Sequence, residues 1–103
     1  MALEVRVELL AKAKLIEAFG PSLRRPHADT LEGSKHANMK ELRFSADGGE
    51  WRAAFAFDPE RNAIVLVAGD KSGVSQAQFY RSLIAKADAR FDAHLERLKG
   101  TKP

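Results

Sequence analysis

Between Asn38 and Asp70 the polar and apolar positions follow a period of two. Met39-Lys40-Glu41-Leu42-Arg43-Phe44 sets Leu42 and Phe44 on one side and Glu41 and Arg43 on the other, the pattern of a half-buried strand. Asp47-Gly48-Gly49 interrupts it with residues that tolerate the positive φ of a hairpin turn. Trp51 to Phe57 then places Trp51, Ala53, Phe55 and Phe57 on one face and Arg52, Ala54 and Ala56 on the other. Asp58-Pro59-Glu60-Arg61-Asn62 turns the chain again. Ala63 to Ala68 is apolar throughout, which predicts a strand covered on both faces. The expected unit is a three-stranded antiparallel meander. One face is fully apolar, and the other carries Glu41, Arg43 and Arg52 among small alanines.

Both flanks change to helical spacing. Over residues 2–19, Leu3, Val7, Leu10, Ala11, Leu15, Ala18 and Phe19 recur at threes and fours, predicting an amphipathic helix that Gly20-Pro21 ends. Residues 20–37 read as a long connection, broken by Pro21, Pro26 and Gly33 and made basic by Arg24, Arg25 and His27. Leu31 is its expected anchor on the core. After a glycine-bounded loop at 69–73, Ser75 is the expected N-cap of a helix over 76–98. Phe79, Leu83, Ala87, Phe91, Leu95 and Leu98 form its apolar stripe. Gly100 stops it, leaving Thr101-Lys102-Pro103 as a tail. The expected fold class is α+β: a small antiparallel sheet packed against an N-terminal and a long C-terminal helix, in one domain over 1–103.

Composition narrows the function. Hydrophobic content of 45% with 30% charged residues is that of a globular chain. Without cysteine there is neither a disulfide framework nor a thiolate metal site, which suits a cytoplasmic setting. Six charges between Leu3 and Phe19 exclude a signal peptide there, and no apolar run reaches the roughly 20 residues of a membrane span. The net charge of +3 gathers toward the C-terminus: residues 71–103 hold seven cations against three acids. Such an excess favours polyanionic or acidic partners, although a solvated helix face explains it equally well.

His27, His36 and His94 lack metal-ligand spacing, and no phosphate loop or nucleophile elbow is present, so neither metal nor cofactor is expected. What remains is a set of cations with one phenol: Lys40, Arg43, Arg52, Lys71, Arg81 and Tyr80. RNA cleavage suits such a set because the substrate supplies its own 2′-hydroxyl nucleophile. The protein need only neutralise the phosphate and move protons. Plain structural roles stand beside this reading. Arg52 can pair with Glu41 across the sheet, Trp51 can be core, Tyr80 can pack with its helix, and His27 and His36 can sit on a loop rim.

Leu31 to Phe44, Trp51 to Pro59 and Ile64 to Gly73 together resemble the RelE/ParE superfamily of bacterial toxin–antitoxin toxins, closest to its HigB-like, phage-derived branch. The resemblance runs from Leu15 through Arg97. It implies a RelE-like fold with helices on one face of the sheet. It also implies a ribosome-dependent endoribonuclease that cuts mRNA and is neutralised by a helix-turn-helix antitoxin. Carried over residue by residue, Arg52 and Arg43 stabilise phosphate, Lys71 or Lys40 transfers a proton, and Tyr80 stacks on a base or acts as the acid. Lys35, His36, Arg81 and Arg90 are the accompanying RNA-binding candidates. The strand and helix that usually open the family's fold are missing before residue 2, which leaves an edge that a second copy or an antitoxin segment could fill. Two other readings stay open: a ParE-like gyrase inhibitor without nuclease chemistry, and a truncated remnant that only binds antitoxin.

Overall fold

Turn chemistry and alternation set the frame. The computed structural model describes residues 2–23 and 27–100. Its elements are α1 (Leu3–Phe19), a short 3-10 turn (Gly20–Ser22), β1 (Ala28–Thr30), β2 (Lys40–Ala46), β3 (Gly49–Phe57), β4 (Ala63–Asp70) and α2 (Gln76–Gly100). Asp47 and Gly48, with φ of 50° and 74°, form the two-residue turn between β2 and β3, the conformation whose twist matches that of the paired strands. Gly20, at φ 57°, ends α1 and returns its N–H to the Ile16 carbonyl. Ser75 Oγ accepts the Gln78 N–H at 3.1 Å, so the expected cap forms. Arg24, Arg25 and Pro26, read as part of the basic connection, and the tail Thr101-Lys102-Pro103 lie outside the described residues.

The sheet has four antiparallel strands in the order β1-β2-β3-β4 rather than three. The added strand, Ala28–Thr30, lies in the stretch expected to be loop and pairs Ala28 with Leu42 and Thr30 with Lys40. Three residues between breakers leave no alternation to detect. Leu31, 3% exposed, anchors the same stretch as expected.

The order also corrects the reading of Ala63–Ala68. The strand covered on both faces is β3, whose Ala53 to Ala56 are all buried, whereas β4 is at the edge with only Leu66 buried. A bulge lies within this pair: Ala54 faces Val67 but Phe55 faces Val65, so Leu66 is the extra residue.

Each face of the sheet carries one helix, not both helices on one face. Val5 and Ile16 of α1 pack with Leu42, Phe44, Ala53 and Phe55. Leu83, Ala87 and Phe91 of α2 pack with Met39, Ala54, Ala56 and Leu66 on the other face. The buried side of α1 is not the predicted one: Leu3, Val7, Leu10 and Phe19 are 74%, 55%, 65% and 57% exposed. α1 therefore bears apolar residues on two sides, and periodicity alone chose the outer one.

At the far end of β3, an ideal Cβ on Gly49 would stand 2.5 Å from Asp70 Oδ2 and 2.8 Å from its Cγ. Asp70 cannot swing away without loss, because its Oδ1 accepts the N–H groups of Glu50 (3.2 Å) and Ser72 (2.9 Å). Gly49→Ala is therefore expected to cost about 1–3 kcal/mol by overpacking, read as a lower urea midpoint at unchanged m.

Candidate functional site

The polar end of the α2-facing sheet surface gathers three of the expected residues. Arg43 and Arg52 are direct cross-strand partners on β2 and β3, so their side chains share a face. Two guanidinium groups in register repel, and Glu41, two residues before Arg43 on the same face, compensates. Its Oε1 accepts Arg43 Nε at 3.0 Å and Nη2 at 2.9 Å. Asp29 of β1 adds a longer pair at 3.9 Å. The expected Glu41–Arg52 pair does not form, because register sets Ala54 opposite Glu41.

Arg52 is only 8% exposed and is held by two bonds: Nη1 donates to the Trp51 carbonyl at 2.8 Å, and Nε donates to the Tyr80 hydroxyl at 3.2 Å. Tyr80, in the second turn of α2, closes the cluster from above. Burial raises its pKa, the Glu41 carboxylate raises it further, and Arg52 opposes both, leaving the phenol above its ordinary range. The Arg43 guanidinium is held above its own range by the bond to Glu41. The Tyr80 hydroxyl lies close enough to the Glu41 carboxylate to raise its own pKa but off the geometry of a good hydrogen bond, no other donor among the described residues meets Oε2, and the Glu41 side chain is 4% exposed. A buried carboxylate oxygen with free lone pairs is costly unless something completes it. Sequence reasoning treated Glu41 as a cross-strand neighbour; the signal it offered was an acid two residues from an arginine on a half-buried strand.

The other candidates separate. Lys40 stands on the opposite face with Leu42, and its Nζ donates to the Pro21 carbonyl at 3.0 Å. Lys71 follows β4, its backbone N–H bonded to the Glu50 carbonyl at 2.9 Å, and its side chain has no hydrogen bond or ion pair among the described residues. Arg81, next to Tyr80, is exposed and equally without an ion pair among them.

Lys35 and His36 are drawn into a clamp on α2. Lys35 pairs with Asp92, and His36 Nε2 bonds the same carboxylate at 2.8 Å, its ring edge-on to Phe91. Ser34 Oγ and the Lys35 N–H bond Asp88 one turn earlier. This clamp lies about 18 Å along the helix from Tyr80, at 1.5 Å per residue. Arg90 Nη1 donates to the carbonyl of the bulged Leu66 at 2.7 Å. Among the described residues, no cluster of three His, Asp or Glu could hold a metal, and no helix is long and apolar enough to cross a membrane.

A helix–sheet–helix α+β protein with an Arg-Glu-Arg-Tyr cluster at one end of the sheet is the class so defined. Residues 1–92 match the phage-derived Gp49-like protein family (DUF891), and the chain belongs to that family. It is 46% identical over 96 residues to a Mycobacterium tuberculosis protein named toxin HigB2, covering 92% of this chain and 47% of that one. It is also 46% identical over 76 residues to one named toxin HigB3 of the same organism, covering 74% and 64%. The HigB-like kinship expected from the sequence is thereby met, and the chain spans about half the length of the first relative. No solved structure matches it.

Proposed function

We propose that this chain is the toxin of a type II toxin–antitoxin pair, and that it cleaves mRNA on the ribosome without a metal ion. Kinship with HigB-named proteins supports the toxin reading and the existence of a cognate antitoxin. The single observation that carries the nuclease reading is the Glu41–Arg43–Arg52–Tyr80 cluster. In this reading Arg43, with a third of its side chain in solvent, meets a non-bridging phosphate oxygen. The Arg52 guanidinium is committed to the Trp51 carbonyl and the Tyr80 hydroxyl, and so positions the phenol rather than the phosphate. Glu41 Oε2, enclosed in the free protein, is opened by substrate binding and accepts the 2′-hydroxyl proton as the 2′-oxygen bonds to phosphorus. Tyr80, kept protonated by its raised pKa, gives its proton to the departing 5′-oxygen. The products are a 2′,3′-cyclic phosphate and a 5′-hydroxyl. Lys71 and Arg81 neutralise the flanking backbone, and Lys40 has no part.

Purified protein added to programmed ribosomes tests this. Cleavage with 5′-hydroxyl ends is expected, falling about 100-fold or more in Arg43→Ala and unchanged in Lys40→Ala. Growth arrest that leaves mRNA intact and tracks DNA damage would replace this reading with gyrase inhibition.

A further inference from the structure

β4 has the composition of an interior strand but stands at the sheet edge. Ala63 to Ala68 carry no charge, and Val65 is 39% exposed. Edges of this kind attract another strand unless they are covered. Among the described residues, the C-terminal half of β4 is open to one. The Lys71 N–H bond to Glu50 fixes the alternation of the antiparallel ladder, so Gly69 and Lys71 bond inward while Ala68 and Asp70 turn their backbone groups outward. Farther along, Arg90 already occupies the Leu66 carbonyl.

Both faces beside the edge are hollow. On the α1 side, beside the Ala63–Val65 end of the strand, a groove of ≈ 660 Å³ runs past Ile16, Phe57 and Val65, with Glu17 and Arg61 also on its lining. On the α2 side a groove of ≈ 300 Å³ is lined by Val67, Val74 and Phe79 with Lys86 at its rim, and the adjoining ≈ 240 Å³ groove is lined by Arg90 and Arg97. Lys86, Arg90 and Arg97 thus form a basic ridge over the edge. The acids Asp88 and Asp92 are turned toward Ser34, Lys35 and His36 instead.

We infer that the β4 edge receives an extended segment of the antitoxin as a fifth strand, with apolar side chains toward α1 and acidic ones toward α2. The inference rests on the toxin–antitoxin reading above but not on nuclease chemistry. A second copy fits less well, since two-fold pairing of β4 with itself sets basic ridge against basic ridge. A nucleic acid would leave the open backbone and the apolar groove unused.

Hydrogen exchange on the full chain, alone and with full-length antitoxin, tests it. The Ala68 and Asp70 amides are expected to slow at least tenfold on antitoxin addition. Val65→Lys and Arg97→Glu should each weaken antitoxin binding about tenfold with ribosomal mRNA cleavage unchanged. Antitoxin binding with unaltered β4 exchange and undiminished affinity in both variants overturns the inference and leaves the nuclease reading standing. Protection that rises with the concentration of the chain alone, or that comes from single-stranded RNA and not from antitoxin, overturns it as well. Absence of any antitoxin binding overturns it together with the partner reading, while the cleavage assay judges the nuclease independently.

Discussion

Asp58→Ala is expected to remove about 3 kcal/mol of stability at neutral pH. Asp58 opens the β3–β4 turn, and its side chain is 1% exposed. Oδ1 accepts the N–H groups of Glu60 and Asn62, both at 2.9 Å, and Oδ2 meets His94 Nε2 of α2 at 2.8 Å. Alanine would leave two backbone donors and an imidazole without their acceptor in a mostly dry site, and that outweighs the mean value of three ordinary hydrogen bonds. It would also cut the tie between the turn and the C-terminal half of α2.

The pH dependence of this effect has a definite sign. Burial works to raise the Asp58 pKa, but the bonds from His94, Asn62 and Glu60 prevail and hold it below the ordinary carboxylate range. A carboxyl lowered on folding contributes stability that is fully present above its unfolded value, about 3.9, and disappears as pH falls through the folded one. Urea melts of wild type and variant should therefore differ most near pH 7 and converge as the pH drops below 4. A gap that persists unchanged at pH 2 would mean that packing, not the ionised carboxylate, holds this corner together.

Much of this architecture was legible in the sequence because alternation and turn chemistry are local. Asp47-Gly48 specifies its turn without help from the rest of the chain, and the Ser75 cap needs only the N–H three residues on. What escaped depends on neighbours. β1 is three residues long and exists through its pairing with β2. α1 presents Val5 and Ile16 inward and Leu3, Val7 and Leu10 outward, and a periodic pattern with two apolar sides does not say which one meets the sheet. β4 reads as an interior strand because its composition is that of one, while strand order is a global property. The candidate site divides in the same way. Alternation puts Glu41, Arg43 and Arg52 on one face, whereas Lys40 enters as one more cation and through the family resemblance, although the same period sets it on the opposite face. Whether Arg52 reaches solvent depended on Tyr80 lying over it, and that is decided by how α2 docks. Lys35, His36 and Arg90 looked available as isolated cations, but Asp92 and the Leu66 carbonyl come to them from distant parts of the chain.

Glu41→Gln is expected to lower ribosome-dependent cleavage 100-fold to 10,000-fold, with the loss in kcat, because it removes the proton acceptor but keeps the side chain's shape. The amide oxygen can still accept from Arg43, so the sheet should melt within about 1.5 kcal/mol of wild type. Tyr80→Phe should show a comparable loss for the opposite proton. Because the phenol is held above its ordinary range by burial and by Glu41, cleavage in the wild type should persist to higher pH than a free tyrosine would allow. In Glu41→Gln the removal of that carboxylate should draw the alkaline limit downward. A carboxylate beside the phenol raises its pKa whatever its role, so the shifted limit reports their proximity, and the fall in kcat with the fold kept marks Glu41 as the base. Full cleavage by both Glu41→Gln and Tyr80→Phe would take the chemistry away from this end of the sheet. A message carrying 2′-deoxy sugar at the scissile position should resist the wild-type protein altogether, since the 2′-hydroxyl is the nucleophile on which every other step depends.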